Sequence, residues 1–346
     1  MRRAFQPRRV CCVKLGKRAP LWRASYTGAG TIDSVMLDHR LLLDAFHTPM
    51  PSQSSSPSPK PLTSSLPAVI RLMRPHQWVK NAFVFAGLLF SQSWSDGPLA
   101  LRVFVAFAAF CCLSSMVYII NDWHDRASDA LHPRKRNRPL ASGAVSVPVA
   151  LALAAALLAA GLLLAANNRV LLVLLGLYAA LNLAYSWRLK QVPVLDVSII
   201  AAGFMLRLLA GTVAVGIPPS RWLLLTGIFV ALFLGFSKRK AESFQDEASQ
   251  RAVLAYYPAA LLDTFMAVTM TATLTTYSLF ATSPEAQLQH GERLLYTVPV
   301  VIFGMLRYAY QVHRGHGEDV ARDLLRDPWI LAAGVLWLLI FSSRWL

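Results

Sequence analysis

Residues 101–143 read LRVFVAFAAFCCLSSMVYIINDWHDRASDALHPRKRNRPLASG. An apolar run ends at Ile120 in a group of acids, and within a few residues the acids give way to bases. A run of this length and composition is a membrane-spanning helix. Its end therefore places Asn121, Asp122, Asp125 and Asp129 at a membrane boundary, where ionisable groups are costly and usually functional. Successive spacings of 1, 3 and 4 residues let the three aspartates share one helical face with Asn121 beside them. Carboxylates so grouped repel one another unless a cation sits between them, and hard oxygen donors suit Mg²⁺. His132, Arg134, Lys135, Arg136 and Arg138 follow directly. Acids for a metal beside bases for phosphate oxygens are what a Mg²⁺-bound diphosphate requires. The plainer reading, a solvated helix end beside ordinary loop charges, accounts for either half alone.

The rest of the chain repeats the apolar run. Of 346 residues, 55% are hydrophobic and 15% charged, and the mean hydropathy is +0.45. Runs of spanning length are expected near 80–96, 99–121, 146–166, 169–187, 194–215, 221–237, 259–281, 294–311 and 328–345, which predicts an all-α integral membrane protein of nine transmembrane helices. The net charge of +16 implies no nucleic-acid partner, because the bases lie in the N-terminal tail and in alternate short loops. Arg71, Arg74 and Lys80 precede the first run. Arg188 and Lys190, then Lys238, Arg239, Lys240 and Arg251, then Arg314, Arg322 and Arg326 occupy later loops of the same side. This bias predicts that side to be cytoplasmic, with an active site facing the cytoplasm from the inner (cytoplasmic) membrane.

Residues 1–67 differ. A basic stretch with no acid in its first 25 residues leads to TPMPSQSSSPSPKPLTSSLP at 48–67, which cannot bury enough apolar surface to fold. A disordered tail is expected there, with a polytopic helical domain at 68–346. The adjacent pairs Cys11/Cys12 and Cys111/Cys112 suit neither a disulfide framework nor a zinc site.

Other polar groups fall on the basic side. RPHQWVKN supplies Arg74, Gln77, Lys80 and Asn81; YSWRLKQVPVLD supplies Tyr185, Ser186, Lys190 and Asp196; SKRKAE supplies Lys238, Arg239 and Glu242. Each group reads equally as interfacial anchors. Arg207 stands mid-run and requires a partner, an ion pair or a substrate phosphate.

Asn121-Asp122-x-x-Asp125-x-x-x-Asp129 followed by HPRKRNRPLASG resembles the first Asp-rich motif of UbiA-type membrane prenyltransferases, and the likeness extends over roughly residues 70–345. It implies a nine-helix bundle around a cytoplasm-facing cavity. Members with aromatic acceptors carry a second motif, DxxxD, after the sixth helix; here SKRKAE stands there, basic with one carboxylate. With RPHQWVKN, LRLLAGTVAVGIP, LRYAY and EDVARDLLRDPW, the chain is similar to the branch that moves phosphoribose from phosphoribosyl pyrophosphate (PRPP) to decaprenyl phosphate, using Mg²⁺ and releasing pyrophosphate. The resemblance implies Asp122 and Asp125 on the metal, with Asn121 and Asp129 supporting them or touching the ribose. It implies Lys135, Arg136 and Arg138 on phosphate oxygens, and Tyr185, Lys190, Lys238 and Arg239 on the 5-phosphate or the acceptor phosphate. Arg74, Gln77 and Lys80 would place the polyprenyl phosphate, and Glu242 would steady a basic neighbour or meet a ribose hydroxyl. The alternatives are a prenyl diphosphate donor with an aromatic or other small acceptor, or a non-catalytic lipid-phosphate transporter. Transport would call for charges in both halves of the bundle and an inverted repeat, and neither is read here. The acceptor's chain length and the oligomeric state are not legible.

Overall fold

A computed structural model describes residues 67–132, 135–244, 252–317, 320, 323 and 326–343. The expected tail, both of its cysteines, Arg134, Arg251 and Arg322 lie outside them. The described residues are helical, without a strand.

The central element is α3 (Gly97–His124), reached after α1 (Ala68–Met73), a 3₁₀ segment (Pro75–Phe85) and α2 (Ala86–Phe90). At about 1.5 Å per residue, the 28 residues of α3 exceed the roughly 30 Å of bilayer hydrocarbon. Val103, Ala106, Ala109, Phe110, Leu113, Val117 and Ile119 are buried along its length. Asp125 leaves helical geometry at ψ 4° and turns the chain into the short α4 (Arg126–Leu131).

Then follow α5 (Val147–Ala165), α6 (Arg169–Trp187), α7 (Leu195–Ala210), α8 (Arg221–Glu242), α9 (Ala259–Thr282), α10 (Pro284–His290), α11 (Arg293–His313) and α12 (Pro328–Ser342). The starts of α3, α6 and α8 carry their own side-chain caps. Asp96 accepts from the Leu99 amide at 3.0 Å, Asn168 from Leu171 at 2.9 Å and Ser220 from Leu223 at 3.0 Å, so these amides need no water where it is scarce.

Among the described residues, six helices are long and apolar enough to span a membrane: α3, α5, α6, α7 with its short 3₁₀ extension, α8 and α9. The remaining expected runs take other forms. α11 carries Pro299 in its interior, and α12 is apolar but 15 residues long. The run expected as a helix over 80–96 is 3₁₀ up to Phe85, α-helical over Ala86–Phe90 and non-helical from there to Asp96. Two features set that geometry. Arg74 closes α1 in the left-handed region at φ 54°, and Pro75 opens the 3₁₀ segment at its first position. Backbone contact fixes the other end: a Cβ on Gly211 would collide with the Val84 carbonyl, and one on Gly87 with the Gly211 carbonyl. Close backbone approach through glycine is a membrane-helix device.

Side chains tie this segment down. Trp78 donates to Ser115 Oγ (3.0 Å), and Ser115 donates to the Met73 carbonyl (3.0 Å). Buried Asn81 donates to Ser114 (3.3 Å) and accepts from Arg207 Nε at 2.7 Å. Arg207 thus finds its partner, and it is not an acid. Its other nitrogens donate to the Gly203 carbonyl (2.8 Å) and Tyr178 hydroxyl (2.9 Å), and the Tyr178 ring faces it at 4.6 Å. The arginine joins the first segment, α3, α6 and α7 at mid-bundle and is not part of the site below.

Candidate active site

The Asp-rich motif lies where α3 turns into α4. Asp122 is the last buried residue of α3, 2% exposed. Its Oδ1 accepts from Arg74 Nη2 at 2.5 Å and from Arg138 Nη1 at 3.0 Å. Asp129, equally enclosed on α4, accepts from the same Arg138 nitrogen at 2.6 Å. One guanidinium nitrogen therefore stands between two buried carboxylates, and a second arginine closes on Asp122. The left-handed backbone at Arg74 aims it there, and its guanidinium lies over the Tyr118 ring at 5.1 Å. Tyr118 is missed by the sequence reading, although its place four residues before Asp122 on a helix was the available signal.

Asp125 does not complete a cluster with these two. It faces His124 Nδ1 (3.1 Å) and Lys190 Nζ (3.9 Å), because the chain bends at this residue and the single helical face expected of the spacing is broken. Among the described residues no three His, Cys, Asp or Glu side chains are already gathered around a metal position. The donor chemistry nonetheless fits a divalent cation. Asp122 and Asp129 offer hard oxygens that already share one positive atom, and Asp125 and half-buried Asn121 lie within the same turn of chain. Lys135 and Arg136 are exposed on a 3₁₀ turn (Lys135–Asn137) directly before Arg138, while Gln77 and Lys80 are half-buried on the 3₁₀ segment.

A second polar group joins the ends of α6, α7 and α8. Arg239, 1% exposed, donates Nε to Asp196 Oδ2 at 2.7 Å, Nη1 to Glu242, and Nη2 to the Tyr185 hydroxyl at 3.3 Å. Tyr257 donates to the other oxygen of Asp196 at 2.7 Å. Burial first, with the Asp196 contact adding to it, pushes the Tyr257 phenol up to about 12. Arg239 was expected on a substrate phosphate; in the structure it is enclosed, held by two carboxylates and in contact with the Tyr185 hydroxyl. Lys240 is likewise engaged, with Asp263 Oδ2 at 2.8 Å; His313 meets the other oxygen of Asp263 at 3.1 Å. Lys238 is half-buried on the same turn. Lys190 links the two groups, since the short turn it occupies (Leu189–Gln191) follows directly from the helix bearing Tyr185.

An apolar cavity of about 440 Å³ lies among α2, α8, α9, α11 and α12, walled by Phe83, Trp222, Phe233, Tyr277, Tyr308 and Trp337. Phe83 comes from the same 3₁₀ segment that carries Gln77 and Lys80.

The UbiA prenyltransferase family profile matches residues 81–341. The chain is 34% identical over 314 residues to the decaprenyl-phosphate phosphoribosyltransferase of Mycolicibacterium smegmatis, covering 86% of this chain and 97% of that one. It is also 34% identical to the decaprenyl-phosphate phosphoribosyltransferase of Corynebacterium glutamicum, over 78% of this chain and 84% of that one. Among solved structures it is similar to a UbiA homologue from Archaeoglobus fulgidus bound to GPP and Mg²⁺, with a TM-score of 0.59 and 21% identity over 80% of this chain and 97% of that one. An acid-and-arginine site at the end of an apolar bundle, a family profile across most of the length and full-length relatives agree: this chain is a membrane-embedded transferase and belongs to the UbiA prenyltransferase family.

Proposed function

We propose that the protein transfers 5-phosphoribose from PRPP to a polyprenyl phosphate, releasing pyrophosphate, with Mg²⁺ in the site and the site on the cytoplasmic face of the inner membrane. The observation that carries this reading is the surplus of positive charge around the Asp-rich turn. Arg74, Arg138, Lys135, Arg136 and Lys190 stand against Asp122, Asp125 and Asp129, while Asp196 and Glu242 face Arg239. Two phosphorylated substrates need more cations than one diphosphate and a neutral aromatic acceptor. The names of the full-length relatives support the same reading.

In this reading Asp122 and Asp129 hold the metal, with Asp125 and Asn121 contributing from the turn. The bound Mg²⁺ would supply charge neutralisation for the departing diphosphate. Lys135, Arg136 and Arg138 hold its oxygens as the bond from ribose C1 breaks and the electron pair leaves with pyrophosphate. The acceptor oxygen is already ionised, so the new C1–O bond needs no general base. Lys190, Lys238 and Tyr185 meet the 5-phosphate, Glu242 steadies Arg239 beside Tyr185, and Gln77 and Lys80 place the lipid phosphate, with Arg74 at the same end of the segment on Asp122. The apolar cavity takes a stretch of the isoprenoid chain.

The test is a donor screen on the purified full chain in detergent, following pyrophosphate with Mg²⁺ present. PRPP with decaprenyl phosphate, or a shorter analogue, is expected to release pyrophosphate only when lipid and metal are both there. Release from geranylgeranyl diphosphate with an aromatic acid, and none from PRPP, overturns the substrate assignment and leaves the family and fold standing.

A further inference from the structure

We propose that Arg138 is a stand-in cation: without metal it neutralises Asp122 and Asp129, and it gives them up only to a diphosphate, so that metal and diphosphate bind as a pair. The inference rests on the reading of this turn as a metal–diphosphate site.

The two carboxylate side chains are 3% and 4% exposed, and the Arg138 nitrogen touches both. With Arg74 on Asp122, the enclosed group has two arginines and two aspartates, which is formally neutral. A divalent ion entering alone would have to compete with a bridging guanidinium and would leave uncompensated charge in a buried site, which is costly. A diphosphate arriving with the metal removes both difficulties. Its negative charge offsets the ion, and its oxygens offer the displaced guanidinium a bidentate partner.

The two arginines are not equivalent. Arg74 is fixed by its left-handed backbone and its place over Tyr118. Arg138 follows the exposed 3₁₀ turn of Lys135–Asn137, and its side chain is 30% exposed on a long stem. It can swing outward toward Lys135 and Arg136 while Arg74 stays on Asp122. Arg138 is therefore a positioning residue that couples metal to donor.

The test is equilibrium dialysis of the full chain in detergent, counting protein-retained Mn²⁺ with and without inorganic pyrophosphate. Asp122→Asn provides the blank for this site. For the unaltered protein, pyrophosphate is expected to tighten Mn²⁺ retention by about tenfold or more, and Mn²⁺ to tighten pyrophosphate by the same factor. Arg138→Gln is expected to retain Mn²⁺ alone about tenfold more tightly, with the pyrophosphate effect largely lost. Arg138→Lys keeps the charge and the fold but cannot make the fork, and is expected to fall between. Mn²⁺ retention by Arg138→Gln and Arg138→Lys no tighter than by the unaltered protein overturns the inference, as does a missing pyrophosphate effect in the latter. Neither probe carries a sugar or a lipid, so this result stands apart from the donor screen: a prenyl diphosphate donor sinks the phosphoribosyl reading and leaves the coupling intact.

Discussion

Asp122 and Asp196 are both buried aspartates facing arginine, yet their surroundings assign them different work. Asp122 meets two arginines that are each about one-quarter to one-third exposed, at the open end of the bundle. Asp196 meets one that is enclosed, and its second oxygen is taken by Tyr257. Asp122→Asn should lower kcat by on the order of 100-fold or more and lower the thermal midpoint in detergent less than Asp196→Asn does, because its two arginines are partly exposed. An unchanged, metal-dependent kcat would remove Asp122 from the site. Asp196→Asn leaves the buried Arg239 with Glu242 as its remaining carboxylate, and should destabilise the fold by on the order of 3 kcal/mol. Thermal unfolding reads this as a drop in midpoint, and an unshifted midpoint would contradict it. The Asp-rich turn and its following bases were legible in the sequence because ligand spacing is local. The sharing of Arg138 between Asp122 and Asp129, and the sealing of Arg239, were not. A count of loop bases does not distinguish an arginine that faces solvent from one consumed by a carboxylate 43 positions away.

At the scale of elements, hydropathy found the long helices to within a residue or two at α5 and α6, since apolar length alone defines them. It misread the first segment, because a 3₁₀ run and an α-helix of the same residues are equally apolar. The difference lies in backbone contact between residues over a hundred positions apart, Val84 with Gly211. Gly211→Ala should therefore push the segment off α7 and lower both the thermal midpoint and activity, whereas Gly176→Ala, inside α6 with nothing near the added Cβ, should cost little. Equal effects on detergent unfolding would contradict the close-contact account. The start of α12 gives a pH statement. Asp327 caps the Trp329 and Ile330 amides and accepts from Arg307 and Gln311. Burial pushes its carboxyl up, but these hydrogen bonds outweigh burial and bring it down to about 2. A lowered carboxyl contributes fully above the ordinary carboxylate range and loses its contribution as pH falls toward about 2. Asp327→Asn should thus lower the midpoint by the same amount at pH 7 and at pH 5.5. A penalty that shrinks between those values would contradict the depressed carboxyl.

For the whole molecule, charge and apolar volume are sorted to different places. Ionisable groups gather where α3, α6 and α8 end and α7 begins, and the cavity among α2, α8, α9, α11 and α12 is walled by rings and aliphatic chains. A substrate with an anionic head and a long isoprenoid tail matches both halves at once. The sequence showed this sorting as alternating basic loops between apolar runs, and it could not show the cavity, whose walls come from residues spread between Phe83 and Trp337. The most direct test of the central claim is the mass of the lipid itself. Decaprenyl phosphate incubated with the purified chain, PRPP and Mg²⁺ is predicted to gain one phosphoribosyl group in the intact-lipid mass spectrum, and to gain none with Asp122→Asn. A lipid mass unchanged after full incubation, with the same preparation turning over a prenyl diphosphate, would contradict the account.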